Sequence, residues 1–252
     1  MMGNKNNPRD LSVTNFGTVR GRGYDVAILP WGATEPHNLH LPYLTDALLS
    51  QAVALQTADV AAERFGVEAM VLPPVAMGAR NPGQRDLPFC IHYRYDTQRA
   101  ILADIVDSLS HQGIKRLLIV NGHGGNSFKP MIRDLAVDYP DFIIAVSDWF
   151  AVLPAKEYFT NPGDHADELE TSVMMHFYPE LVDILTAGPG TSRPWESEEL
   201  RRKTAWIPRN WLKVTDDTGI GDPSLASAEK GKRYVTDCVE RYAALIRDMK
   251  EM

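Results

Sequence analysis

Short apolar runs alternate with longer amphipathic stretches along this chain. Residues 24–29 are apolar and few, the pattern of a buried strand. Residues 46–65 carry Leu48, Leu49, Val53, Leu55 and Val60 at helical spacing, with Gly66 at the end, and predict a helix. A second strand is expected over 68–72, stopped by Pro73-Pro74. Over 97–112, Ile101, Ile105 and Leu109 recur at four-residue steps before Gly113, the mark of an amphipathic helix. A strand over 116–120, a glycine-rich loop over 121–126, a helix over 128–139 and a strand over 141–146 follow. A short helix over 169–178 and a long one over 227–249 close the pattern. Residues 78–94, with Asn-Pro-Gly and Leu-Pro, read as an irregular loop. Strands alternating with helices imply an α/β fold, mostly parallel strands with helices on both faces. In such sheets ligands sit beyond the carboxyl ends of the strands.

Composition narrows the picture. The 252 residues suffice for one large domain, with 44% apolar and 23% charged residues. Residues 1–20 read as an N-terminal extension. Residues 187–223, rich in Pro, Gly, Trp and charge, read as an inserted loop or an oligomer contact. A net charge of −7 gives no basic footprint for a nucleic-acid backbone. No Lys/Arg-rich amphipathic stretch argues for a membrane surface, and no apolar run approaches the ~20 residues that span a bilayer. The polar first ten residues lack the apolar core of a signal peptide. Cys90 and Cys238 are too few and too far apart for a disulfide framework, so a cytoplasmic location is expected, with both thiols as packing residues.

Three segments concentrate metal-ligating side chains. Glu35, His37, His40 and Asp46 fall within twelve residues, directly after the first strand. His123 sits among Gly122, Gly124 and Gly125 after the third. His165, Glu168 and Glu170 stand near a helix start. Imidazole and carboxylate together suit Zn, Mn or Fe. Asp46 could equally cap its helix, with Thr45 the other capping candidate; beside Glu35 and His37 the ligand reading is preferred. The glycine loop could cradle phosphate, but it lacks the Lys-Ser/Thr of a P-loop. Glu168 and Glu170 lie about 200° apart on a helix, so only one faces a given site. Glu170 is chosen as the inward one and Glu168 is expected in solvent. His40 is expected behind the ligands or at the pocket edge. His92, His111 and His176 lack acidic company. Trp149, just after a strand, is a candidate pocket wall or a core residue.

These residues carry a family resemblance. Leu29-Pro-Trp-Gly-Ala-Thr-Glu35-Pro-His37-Asn-Leu-His40-Leu-Pro-Tyr-Leu-Thr-Asp46 resembles the L-P-x-G-x-x-E-x-H-G-x-H-L-P-x-x-T-D signature of the creatininase (creatinine amidohydrolase) superfamily. The family's N-G-H-G-G-N is intact at 121–126. His165-Ala-Asp-Glu-Leu-Glu170-Thr-Ser is similar to its H-A-G-E-x-E-T-S, and a C-terminal pattern fits from Gly219 to Gly231. The resemblance implies a three-layer α/β/α sandwich assembled into homo-oligomers, often hexamers. It implies two divalent metal ions, with Glu35, His37, Asp46 and His123 as ligands and Asp46 bridging. Creatininase has a further ligand, Glu, where this chain has Gly125; Glu170 is the expected replacement. His165 matches the family's catalytic histidine. Pro36, Asn38 and Asp167 depart from the pattern, and residues 81–90 do not resemble the family's substrate-side stretch.

The expected activity is hydrolysis of a C–N bond in a small amide or cyclic amide, with a metal-activated water as nucleophile. Formamide removal and peptide trimming belong to the same chemistry. A non-catalytic protein holding an anionic small molecule on its glycine loop is the rival expectation.

Overall fold

The computed structural model describes residues 7–252. Four strands form one all-parallel sheet: β1 (Val26–Trp31), β2 (Ala69–Val71), β3 (Arg116–Asn121) and β4 (Ile143–Asp148), in the order β2-β1-β3-β4. The helices are α1 (Phe16–Val19), α2 (Thr45–Phe65), α3 (Tyr95–His111), α4 (Lys129–Asp138), α5 (Glu168–Phe177), α6 (Glu198–Arg201), α7 (Trp211–Val214) and α8 (Ala228–Glu251).

Alternate strand residues point to opposite faces, and here both faces are covered. Val26 and Ile28 of β1 and Leu118 and Val120 of β3 pack with α2, α5 and α8. Ala27, Leu29, Leu117 and Ile119 pack on the other face against Leu102 and Val106 of α3 and Met131 and Leu135 of α4. The result is the three-layer α/β/α sandwich expected. β1 and β3 read as continuous apolar runs because neither of their faces meets water, whereas the edge strand β4 is only half-buried. Each fully buried Leu or Ile contributes roughly 1.5–3 kcal/mol.

Local signals explain most element ends. Gly66 closes α2 at φ 62°, the left-handed conformation a glycine adopts without strain. Asp167 caps α5 by accepting from the Glu170 N–H, and Ser227 caps α8 through Lys230 N–H. No side chain caps α2, whose N-cap is Leu44. Thr45 instead donates its hydroxyl to Pro42 O, and Asp46 is released for other contacts.

Of the extension expected over 1–20, residues 1–6 lie outside the described ones. Of the rest, residues 9–11 pair alongside the outer edge of β2: Leu11 N–H donates to Val71 O and Val71 N–H to Arg9 O. Residues 187–223 hold α6, α7 and two isolated bridges, Ser192 with Thr215 and Ile220 with His165. Among the described residues no helix is long and apolar enough to cross a membrane.

The topology fixes where a site forms. From β1 the chain crosses to β2 on one side and later returns to β3 on the other. Trp31 and Asn121 are register partners at the carboxyl ends of β1 and β3. The loops leaving these two strands diverge there, which opens a crevice at the switch point.

Candidate metal centre

Two glycines let a helix end close that crevice. A Cβ on Gly32, just after β1, would stand 2.4 Å from Ala47 N. One on Gly122, just after β3, would stand 2.4 Å from Ser50 Oγ and 2.5 Å from Asp46 O. The first turn of α2 therefore rests directly on the ends of two strands, and Asp46 enters the crevice between their loops.

Glu35, His37, Asp46, His123, His165 and Glu170 are all buried there. Their ligating atoms form three close groups: Glu35, Asp46 and His123; His37, Asp46 and Glu170; and Glu35, His37 and His165. Asp46 belongs to the first two. His37 Nε2 lies 2.8 Å from Asp46 Oδ1. His123 Nδ1 lies 3.0 Å from Glu35 Oε1 and 3.2 Å from Asp46 Oδ2. His165 Nδ1 is 3.7 Å from Glu35 Oε1, and its ring packs 4.2 Å from that of His37.

The second nitrogen of each ring decides what these contacts mean. His37 Nδ1 faces Glu35 O at 3.0 Å, His123 Nε2 faces Ala79 O at 2.7 Å, and His165 Nε2 faces Pro36 O at 2.9 Å. A carbonyl only accepts, so each of these nitrogens carries the proton. In its neutral form each ring then turns a lone pair toward a carboxylate. Lone pair facing lone pair at about 3 Å is repulsive unless a cation lies between them. Backbone carbonyls that fix a tautomer in this way are the usual outer partners of metal-binding histidines. Asp46 Oδ2, buried and without a hydrogen bond, makes the same demand. The donor set thus fits divalent metal ions.

Without a cation, protons must supply the positive charge. Burial works against a proton on His37, but Asp46 outweighs it and pushes the ring up to about 10. His123 is likewise raised well above its usual value, burial being outweighed by Glu35 and Asp46. Burial pushes Asp46 and Glu35 upward, yet the histidines beside them hold both carboxyls below their ordinary values. Glu170 is pushed up to about 8 by burial, with Asp46 and Asp167 adding to it against His37. Burial and the neighbouring His37 lower His165.

Other elements hold these side chains in place. Glu35 Oε2 accepts from Gln84 Nε2, while Gln84 Oε1 accepts from Asn81 N. Gln84 lies in a 3-10 turn (Gln84–Asp86) of the segment expected to be an irregular loop, and nothing in its spacing singled it out. His40 is behind the cluster, its Nε2 2.8 Å from Thr171 Oγ1 of α5. Asn38 stands at φ 53°, which asparagine tolerates better than other residues bearing a Cβ. Its side chain accepts from Gly188 N and donates to Gly188 O, tying the first motif to the 187–223 segment. Ala166, also left-handed at φ 48°, donates its N–H to Glu170 Oε2. At position 125 a Cβ would stand 2.4 Å from His123 Nε2, so the His123 ring already occupies the space of a side chain there.

Two expectations need correction. Glu168 is not in solvent but fully buried, paired with Lys230 of α8 and accepting from Asn161 N. The helical angle does turn it away from Glu170, but toward α8, where Gly231 lets the two helices touch. Trp149 is not a pocket wall: it is buried among Phe150, Tyr234 and the core, and Phe150 reaches the cavity instead.

Two depressions flank the cluster. One, of about 120 Å³, is lined by Asp46, His123, Phe150, His165 and Glu170. The other, of about 230 Å³, runs from Glu35, His123 and His165 out to Arg80, Arg209 and Trp211. Trp211 sets its ring edge-on to His165, centroids 5.2 Å apart. Sequence reasoning missed this wall, whose only signal was the density of Trp and Arg in a long irregular segment.

An α/β sandwich with buried imidazoles and carboxylates converging at its switch point can hold divalent metal ions, and comparison with known proteins shows the kind of hydrolase the chain is related to. The creatininase family model (creatinine amidohydrolase) matches residues 9–246, and the chain belongs to that family. It is 31% identical over 229 residues to a mycofactocin precursor peptide peptidase of Mycobacterium ulcerans (strain Agy99), covering 86% of this chain and 84% of the relative. It is 29% identical over 246 residues to a creatinine amidohydrolase of Pseudomonas putida, covering 88% and 89%. A crystal structure of a candidate creatinine amidohydrolase from Bacteroides fragilis NCTC 9343 superposes with a TM-score of 0.96 at 57% identity, over 98% of both chains. A mutant creatininase of Zn-Zn type and a creatininase Mn structure each give 0.77, at 25% and 26% identity, over 97% and 96% of this chain and 99% and 98% of theirs.

Proposed function

We propose that this chain hydrolyses a C–N bond of an amide or cyclic amide at a centre of two divalent cations, Zn, Mn or Fe. Glu35, His37, Asp46, His123 and Glu170 would hold them, with Asp46 shared. The observation that carries this reading is the set of imidazole nitrogens turned toward Glu35 and Asp46 while their partner nitrogens are spent on backbone carbonyls. The likeness to Zn and Mn forms of creatininase supports the choice of metals.

Held there, such cations would supply Lewis acidity, making a water acidic enough to ionise near neutral pH and polarising an amide carbonyl. The chain's own residues do the rest. His165 is fixed by its Pro36 contact with Nδ1 toward the cluster, where it takes the proton of the attacking water and returns it to the leaving nitrogen. Addition of water across the C–N bond thereby yields a carboxyl and an amine. Trp211 holds the His165 ring from its outer edge and limits water on that side.

The test is a panel of lactams, formamides and short peptides, assayed with protein of measured metal content. Creatinine and peptides, which the two relatives are named for, head the panel. Turnover of at least one class is expected, abolished by chelation and restored by Zn or Mn. A fully loaded protein that turns over none would contradict the reading.

A further inference from the structure

The larger depression carries two guanidinium groups that the hydrolytic chemistry does not use. Arg80 lines it, and among the described residues its side chain makes no hydrogen bond or ion pair with the protein. Its backbone position is nevertheless fixed. The preceding Ala79 accepts from His123 Nε2 and donates its N–H to Asn126 Oδ1. Arg80 thus starts one residue from the backbone group that orients a candidate ligand.

Arg209 stands on the wall from the 187–223 segment. One nitrogen of its guanidinium pairs with Asp164, and its Cζ lies over the Trp211 ring, 5.1 Å from the centroid. A guanidinium presents five donors in a planar fork, so an edge engaged by Asp164 leaves others to face the cavity. Outside the candidate metal centre, the charged residues of this wall are Arg80, Arg209 and Asp164, a net charge of +1. Trp206, Ile207 and Trp211 supply flat apolar surface between them.

We propose that this wall is a carboxylate subsite: the amide cleaved here carries a free carboxylate, held by Arg80 with Arg209 beside it, while its carbonyl faces the metal centre. The inference rests on the amide-hydrolase reading and narrows its substrate class. A half-buried arginine without a protein partner, rooted beside the reaction centre, is arranged for a ligand's anion. An oriented guanidinium–carboxylate fork adds geometric selection to charge.

The experiment compares hippurate with hippuramide, and N-formyl and N-acetyl amino acids with their C-terminal amides, in metal-loaded wild type, Arg80→Gln and Arg80→Lys. Binding is read by tryptophan fluorescence, since Trp206 and Trp211 line the cavity, and turnover by amine release. Wild type is expected to favour the acid over its amide by at least about tenfold. Arg80→Gln should bring that ratio toward one through KM, and Arg80→Lys should recover part of it. Equal handling of acid and amide by wild type, or a ratio unchanged in Arg80→Gln, overturns the proposal even if amides are hydrolysed. Acid-selective binding that depends on Arg80, without turnover of any amide, sustains the subsite and instead contradicts the hydrolase reading.

Discussion

Asp46 Oδ1 stands 2.8 Å from His37 Nε2, although one residue belongs to the first turn of α2 and the other to the loop leaving β1. The contact joins two elements at the point where the sheet opens. It also states the electrostatic problem of the site: an imidazole whose other nitrogen is already donating meets a buried carboxylate. Either a proton or a metal ion has to occupy the space between them.

That choice predicts a pH dependence for the metal-free protein. His37 is raised to about 10 from an ordinary 6.5, so its contribution to stability is complete below pH 6.5 and is lost as pH rises through 10. Glu170, raised to about 8, acts in the same direction, its bound proton being lost above that value. The melting temperature of metal-free protein should therefore fall between pH 6 and 10. Zn or Mn should bind more tightly across the same rise, because the metal replaces protons, and binding in weak buffer should release them. Calorimetry in buffers of different ionisation enthalpy measures both effects.

Gly122 sets how closely α2 approaches the sheet. In Gly122→Ala the new methyl would lie within 2.4 Å of Ser50 Oγ and 2.5 Å of Asp46 O, so the first turn of α2 must move. A loss of about 1–3 kcal/mol in urea unfolding is expected, as for other overpacked sites. Metal content should fall with it, because Asp46 moves too.

Gln84 fixes Glu35 from behind. Gln84→Ala leaves a buried carboxylate oxygen without its donor, at a cost of roughly 1–3 kcal/mol. Metal affinity, measured by chelator competition, should drop about 10–100-fold, the usual effect of removing an outer partner of a ligand. Unchanged affinity would show that Glu35 is held by other means.

The parts legible in the sequence are those encoded by local pattern. β1 and β3 read as apolar runs, and α2 ends at Gly66 as its composition implies. Glu35, His37, Asp46 and His123 stood out because ligand-type residues clustered after two strands, and the switch point brings those loops together. What stayed hidden depends on contacts distant in sequence. Glu168 looks like a first-turn surface residue until Lys230, on another helix, pairs with it. Gln84 and Trp211 acquire their roles only through tertiary packing, in segments with no periodicity to read. Trp149 followed a strand that ends at Asp148, two residues later than its apolar run suggested, and it turns into the core while Phe150 turns out.

Metal analysis of purified protein beside Asp46→Asn and His123→Gln addresses the whole arrangement at once. Wild type should carry two divalent ions per chain. His123→Gln should lose one of them and Asp46→Asn both, since Asp46 alone belongs to both the group with Glu35 and His123 and the group with His37 and Glu170. Retention of the full complement by Asp46→Asn would contradict the bridged centre, and with it the chemistry proposed for this crevice.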